Sequence, residues 1–326
     1  MMISNQDVGR CLAELRRRFR ITQDEVAERL AVSRQAVSKW ETGSSIPEVG
    51  QLLALSEMYG VTVNDILRGD AEAARQHRAV LLHADERRSR RVAVIGAGRW
   101  GCFLAWYLDR IGHRTTLVGR SGSDAFRALC ATRSNGRLTL PGSVKLTTEL
   151  SVVADAEIIV ISVPAQSLGD LTEGIAALGL KRKIIVLCMK GIEVLTGRRL
   201  SQVVTDAMDH SNEVAVWVGP GHVEEFLRGV PNCMVIDSGS EMAKQEVIRA
   251  FSSELIRFYF GRDLVGSEIG AAAKNVIGIA AGMLDGLSLA TLKGALMSRG
   301  TREIARLIEA MGGEAESAYG LCHLGD

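Results

Sequence analysis

One lysine, Lys274, stands in a long run of glycine, alanine and apolar residues, with no other charge between Glu268 and Asp285. Gly270, Lys274, Gly278, Gly282 and Gly286 recur every fourth residue, so on a helix they form one slowly drifting stripe. Glycine costs about 1 kcal/mol against alanine inside a helix. Such a stripe predicts that something approaches the helix backbone closely. A lysine there is partly desolvated, which lowers its pKa and suits it to proton transfer at neutral pH. The competing reading is a snorkelling lysine on an ordinary packed helix.

A second group of residues points to a phosphate-bearing ligand. Arg91–Ile95 is an apolar strand that runs directly into Gly96, Gly98 and Gly101 with GxGxxG spacing, and then into a helix over 99–111. Gly96 permits the tight turn, Gly98 lets backbone approach a pyrophosphate, and Gly101 lets helix and strand pack closely. The helix N-terminus then offers its unsatisfied N–H groups to the phosphates. The second strand, 114–118, ends at Arg120, where an acidic residue usually holds the ribose hydroxyls of NAD. Arg120 can instead pair with a 2′-phosphate, so NADP is expected, with NAD as the alternative.

The elements that must carry these residues follow from periodicity. Strands are expected at 91–95, 114–118, 157–163, 183–188, 214–218, 233–236 and 256–260. Helices fall between them at 99–111, 166–177, 197–208 and 240–252. That alternation predicts an α/β fold, a Rossmann-type doubly wound parallel sheet. After residue 263 the strands cease and an all-α domain follows. The expected division is therefore 1–69, a linker at 70–90 ending in a charged run, 91–262 and 263–326.

Residues 1–69 read as short helices. Thr22 and Glu25 have capping-box spacing, and Ser33 can cap a second helix over 34–40. Ala36, Val37 and Trp40 face inward, which leaves Arg34, Gln35, Ser38 and Lys39 facing out. Two helices joined by so short a turn suit the major groove. Arg and Gln can read guanine and adenine edges, while Ser and Lys hold phosphate. Gln23 and Ser33, at the starts of the two helices, complete the candidate DNA contacts.

The bulk properties agree with a cytoplasmic protein. Of 326 residues, 47% are apolar and 24% charged, and the net charge of +1 gives the whole molecule no polyanion-binding field. Residues 1–91 carry 15 Lys/Arg against 13 Asp/Glu, too small an excess to argue nucleic acid by itself. No membrane span is expected, since no apolar stretch of about 18 residues is free of charge. The six cysteines, at 11, 102, 130, 188, 233 and 322, lack metal-ligand spacing, so no metal is expected.

Two resemblances add to this reading. Residues 8–68 resemble the Cro/repressor-type helix-turn-helix family, through the Leu15–Arg18 run, Thr22-Gln23, Ser33–Glu41, Gly43, Pro47 and Val63–Leu67. That family implies DNA binding by dimers. From Arg91 onward the chain resembles the bacterial NAD(P)-dependent glycerol-3-phosphate dehydrogenases. The carrying stretches are Val94–Gly101, Asn135–Pro141, Ser162–Gln166, Lys190–Glu193, Gly219-Pro220, Arg228–Pro231, Gly270–Ala281, Ser298–Gly300 and Gly320–Asp326.

The second resemblance implies hydride transfer between NAD(P)H and dihydroxyacetone phosphate, giving sn-glycerol 3-phosphate. It implies Lys274 as proton donor and acceptor, Lys190 on substrate and cofactor, and Asp326 on the substrate and Lys274. Gly219 and Asn275 are implied at the substrate, and Arg99, Trp100 and Val223 at the cofactor. Two departures stand out. Gly221 replaces a serine of the family pattern, with His222 beside it. The sequence also ends at Asp326, where the family continues with further helices and a loop containing Arg-Asn, so the helical domain is expected to be incomplete. The alternative to an enzyme is a transcription regulator whose weakened dehydrogenase-like body senses NADP(H) or a triose phosphate.

Overall fold

The computed structural model describes residues 4–18, 21–30, 32–59, 61, 63–69 and 89–325. The expected linker falls outside these except at Ser89 and Arg90. The chain divides into two compact units, Met1–Glu86 and Arg87–Asp326.

The first unit is five helices, α1 (Asn5–Arg18), α2 (Gln23–Arg29), α3 (Arg34–Glu41), α4 (Val49–Tyr59) and α5 (Val63–Arg68). Both caps form. The Glu25 amide donates to Thr22 Oγ1 at 3.2 Å while the Thr22 amide donates to Glu25 Oε2 at 2.6 Å, and Ser33 Oγ accepts from the Ala36 amide at 3.2 Å. Val8, Leu12, Leu15, Val26, Val37, Trp40, Leu55, Tyr59 and Ile66 make one core. Beside it, Arg16 forks onto Glu41, Nε to Oε1 at 2.6 Å and Nη2 to Oε2 at 3.0 Å. This pair joins the end of α1 to the end of α3.

The second unit is built on one sheet. Its strands are β1 (Arg91–Ile95), β2 (Arg114–Val118), β3 (Lys145–Thr147), β4 (Ile158–Ile161), β5 (Ile184–Leu187), β6 (Glu213–Val218), β7 (Asn232–Ser238) and β8 (Ile256–Phe260), in the order β3-β2-β1-β4-β5-β6-β7-β8. The first six form the 3-2-1-4-5-6 order of a doubly wound sheet, with the topological switch between β1 and β4. The central strands β4 and β5 are almost wholly apolar and buried, as helices on both faces require. The sheet differs from expectation in two ways. It contains the short β3, and β7 runs antiparallel to β6, so the sheet is mixed rather than parallel.

The connecting helices are α6 (Arg99–Arg110), α7 (Asp124–Thr132), α8 (Leu168–Ala176), α9 (Leu200–Ala207), α10 (Val223–Leu227) and α11 (Glu241–Phe251). After β8 come α12 (Leu264–Gly286) and α13 (Ala290–Ala310), which pack on each other. Asp237, at the end of β7, anchors the start of α12. It accepts from Ser267 Oγ at 2.7 Å and the Asp263 amide at 3.2 Å. Asp263 in turn accepts from the Glu314 amide at 2.7 Å and Ser317 Oγ at 2.8 Å. Burial pushes the Asp237 carboxyl above the usual range, against the Ser267 hydrogen bond and nearby Lys244.

By length and composition alone α12 could cross a membrane, although no span was expected. Its first two turns, however, are buried against the sheet unit, from Gly266 to Ala271.

Candidate functional site

The glycine loop lies at the carboxyl end of β1. Gly96 has φ +109, and a Cβ there would stand 2.1 Å from the Ser162 carbonyl oxygen. A Cβ on Gly101 would stand 1.7 Å from the Gly96 oxygen. Both positions therefore require glycine for the protein's own packing. Gly98 differs, because a Cβ there would meet nothing within 4 Å. Gly98, at the start of α6, therefore faces open space among the described residues, as close approach of a pyrophosphate to its backbone would require.

Arg120 follows β2 on the same edge of the sheet and is exposed; it forms no ion pair among the described residues. Gly119 before it is fixed by α7, since a Cβ would strike the Phe126 ring at 2.2 Å. Val223 begins α10, which packs against α6. The Phe226 and Phe103 rings stack at 5.2 Å, and Glu224 pairs with Arg99 at 3.3 Å. Trp100 lies against Phe103 at 5.1 Å and Phe226 at 6.4 Å. Arg99, Trp100 and Val223 thus occupy one neighbourhood beside the glycine loop. Glu224 also accepts from Arg137 at 2.5 Å and keeps its carboxyl below the usual range, first through a hydrogen bond to its own backbone and then through both arginines. Glu224 and Phe226 were not expected at the site, since no helix was expected between 218 and 233.

Lys190 follows β5 at the same carboxyl edge and is half-buried. A void of about 10 Å³, room for about one water, is lined by Met189, Lys190 and Gly191 and by Glu268 and Ala271 of α12, together with apolar residues of β5, β6 and α9. Lys274 stands three residues beyond Ala271, on an adjoining face of the helix, and is half-buried. Asn275 is exposed. Asp326 lies outside the described residues. Gly219 ends β6 with φ +130, 3.1 Å by its would-be Cβ from Met234 Cα. At Gly221 a Cβ would meet Phe226 at 2.8 Å and the Met234 sulfur at 2.9 Å. The place of a serine side chain is therefore taken by neighbouring apolar groups, and His222 is exposed. Cys188, at the exit of β5, has its thiol pushed well up by burial, which keeps it protonated and unreactive at neutral pH.

The glycine stripe of α12 divides at Lys274. Gly270 does have a close neighbour, since a Cβ there would stand 3.1 Å from His323 Cβ and 3.5 Å from Cys322 Sγ. A Cβ on Gly278, Gly282 or Gly286 would meet nothing within 4 Å among the described residues, so the close approach expected along the whole stripe is seen only in its first turn. Glycines spaced by four residues share a face, but spacing does not say whether that face is covered.

Glu268, which bounds the apolar run, was not among the expected site residues. It is 7% exposed, and it accepts from the Ser201 amide at 2.8 Å, Ser201 Oγ at 2.6 Å and Arg199 Nη1 at 2.5 Å. Removing one member of such a buried pair costs about 3–5 kcal/mol. Among the described residues no group of three His, Cys, Asp or Glu gathers in a way that could hold a metal.

In the first unit, Ser33, Arg34, Gln35 and Lys39 are exposed along α3, and Ser38 is half-exposed. Gln23 donates its amide to Glu41 Oε2 at 2.9 Å, so the Arg16–Glu41 pair fixes its orientation at the start of α2. Arg34 lies 3.7 Å from Asp24, with both side chains largely exposed.

Comparison with known proteins agrees with this geometry. Residues 91–244 match the family model of the NAD-dependent glycerol-3-phosphate dehydrogenase N-terminus, and 263–326 match that of its C-terminus. Residues 12–66 match a helix-turn-helix model. Glycerol-3-phosphate dehydrogenase [NAD(P)+] of Thermoanaerobacter sp. (strain X514) is 37% identical over 241 residues, 72% of each chain. The Pelodictyon phaeoclathratiforme enzyme of the same name is 38% identical over 243 residues, covering 72% of this chain and 73% of that one. The crystal structure of glycerol-3-phosphate dehydrogenase from Coxiella burnetii superposes with a TM-score of 0.68 at 28% identity, over 73% of this chain and 74% of that one. The chain belongs to the NAD(P)-dependent glycerol-3-phosphate dehydrogenase family, with a helix-turn-helix unit ahead of the dehydrogenase region.

Proposed function

We propose that the chain interconverts dihydroxyacetone phosphate and sn-glycerol 3-phosphate with NADP(H), NAD(H) being the alternative, in the cytoplasm. The observation that carries this reading is that the Lys190 loop and the α12 turn preceding Lys274 line one water-sized void at the carboxyl edge of the sheet. Gly96, Gly98 and Gly101 would hold the pyrophosphate, Arg99, Trp100 and Val223 would border the cofactor, and Arg120 would take a 2′-phosphate. A dinucleotide held there would supply or accept the hydride. Lys274 gives a proton to the substrate C2 oxygen on reduction and withdraws it on oxidation. Lys190, Gly219 and Asn275 orient the substrate, and the lysine charge offsets the negative charge of its phosphate and of the developing alkoxide. Asp326 joins this set through the family resemblance. The test is NADPH oxidation with dihydroxyacetone phosphate, in the wild type and in Lys274→Ala.

The first unit is proposed to hold duplex DNA, with α3 in the major groove and Arg34 and Gln35 at base edges. Ser33, Ser38, Lys39 and Gln23 would lie on or near phosphate, and two copies would act on paired half-sites. Binding that weakens steeply with salt supports this; salt-independent binding, or none, contradicts it. A sensor without turnover is favoured by one observation, the apolar filling at Gly221 where the family carries a serine. A chain that binds NADPH, does not oxidise it with dihydroxyacetone phosphate, and changes its DNA affinity with either ligand would establish that second reading.

A further inference from the structure

Glu268 stands six residues before Lys274, buried on α12. Its Oε1 accepts the Ser201 amide at 2.8 Å, and its Oε2 accepts Ser201 Oγ at 2.6 Å and Arg199 Nη1 at 2.5 Å. Arg199 Nη1 also reaches Ser201 Oγ at 3.0 Å. Ser201 lies in the first turn of α9, whose amides have no acceptor within the helix, so the carboxylate caps α9 as well as pairing with Arg199. The backbone of Arg199 bridges that of Ile192, two residues after Lys190, and the Glu193 amide donates to the Arg198 oxygen at 3.0 Å. One carboxylate on the helix of Lys274 is therefore connected, through Arg199 and Ile192, to the loop of Lys190. Both ends of this connection wall the same void. A carboxylate accepting three hydrogen bonds from two neighbouring residues is fixed in position as well as in charge.

We propose that Glu268 is a positioning residue that locks the 190–199 loop onto α12 and so sets the spacing between Lys190 and Lys274. The proposal rests on the reading that these two lysines handle the substrate. The start of α12 has its own anchor in Asp237 and Asp263, so releasing Glu268 frees the loop without releasing the helix.

The test is amide hydrogen exchange on the full chain, comparing peptides from 190–199 with control peptides from 241–251 in α11. In Glu268→Gln, which keeps the shape and loses the charge, exchange in 190–199 rises about tenfold or more while the control peptides are unchanged. In the same variant kcat falls about 10²-fold and KM for dihydroxyacetone phosphate rises, with NADPH affinity retained. Glu268→Asp, which keeps the charge and withdraws it by one methylene, recovers part of both. Arg199→Met combined with Glu268→Met recovers thermal stability but neither loop protection nor kcat. The proposal is overturned if exchange in 190–199 stays at the wild-type level, or if loop and control peptides rise together as a merely structural pair requires. Should Glu268→Gln fail to fold, the same loop-confined rise is read in Glu268→Asp. Exchange needs no turnover, so an inactive wild type would contradict the functional reading while the loop peptides still decide this one.

Discussion

Glycine is concentrated in two segments, the loop Gly96–Gly101 and the helix stretch Gly270–Gly286, and their surroundings differ. In the loop, side chains on Gly96 or Gly101 would collide with backbone oxygens at 2.1 and 1.7 Å, while Gly98 faces open space at the start of α6. On α12, only Gly270 is packed; Gly278, Gly282 and Gly286 are open, and Val276, Ile279 and Met283 beside them are 66–69% exposed. Gly96 and Gly101 serve the protein's own turn, while Gly98 leaves its backbone open. The later α12 glycines serve no contact among the described residues. A glycine's role is therefore decided by what its missing Cβ would touch, and only in the loop does the motif's context predict that. Lys274 marks the boundary on α12, with a buried, ion-paired turn before it and an open apolar stretch after it.

The largest expected effect lies at that boundary. Lys274→Ala should lower kcat about 10²- to 10⁴-fold while the NADPH dissociation constant stays within about twofold, measured by steady-state kinetics and fluorescence titration. Loss of cofactor binding in that variant would make the lysine structural. Next comes the packed loop. Gly101→Ala should destabilise the second unit by about 3 kcal/mol or more in urea unfolding and abolish NADPH binding. An unchanged midpoint with normal binding would mean that the strand–helix contact can relax. Arg120→Asp should weaken NADPH about tenfold and leave NADH nearly unaffected, because only the former carries the 2′-phosphate. Equal effects on the two would remove the assignment. The smallest effect has the opposite sign, since Gly278→Ala and Gly282→Ala should each stabilise α12 by about 0.5–1 kcal/mol. A loss of stability at either site would show that something does cover that face.

Much of the fold and part of the site was legible because local chemistry determined it. The capping box at Thr22 and Glu25, the Ser33 cap and the strand–glycine–helix order at 91–101 all need only neighbours in sequence. Strand β3 was not legible, since Lys145–Thr147 is three residues long and half exposed. The direction of β7 was missed because strand composition does not encode it. The connection decides, and the segment 219–231 contains only the five-residue α10, too little for the usual helical crossover to a parallel strand. In the site, Glu268 with Arg199 and Glu224 with Arg99 join residues 69 and 125 positions apart. Nothing in the local sequence pairs residues so far apart; only the tertiary structure does.

The most direct measurement is the rate of NADPH oxidation with dihydroxyacetone phosphate by this chain and by Lys274→Ala, with NADPH binding measured on both. Turnover by the wild type that collapses in Lys274→Ala, at equal NADPH affinity, is the predicted result. A wild type that binds NADPH without turnover, or a Lys274→Ala variant that turns over undiminished, would contradict it.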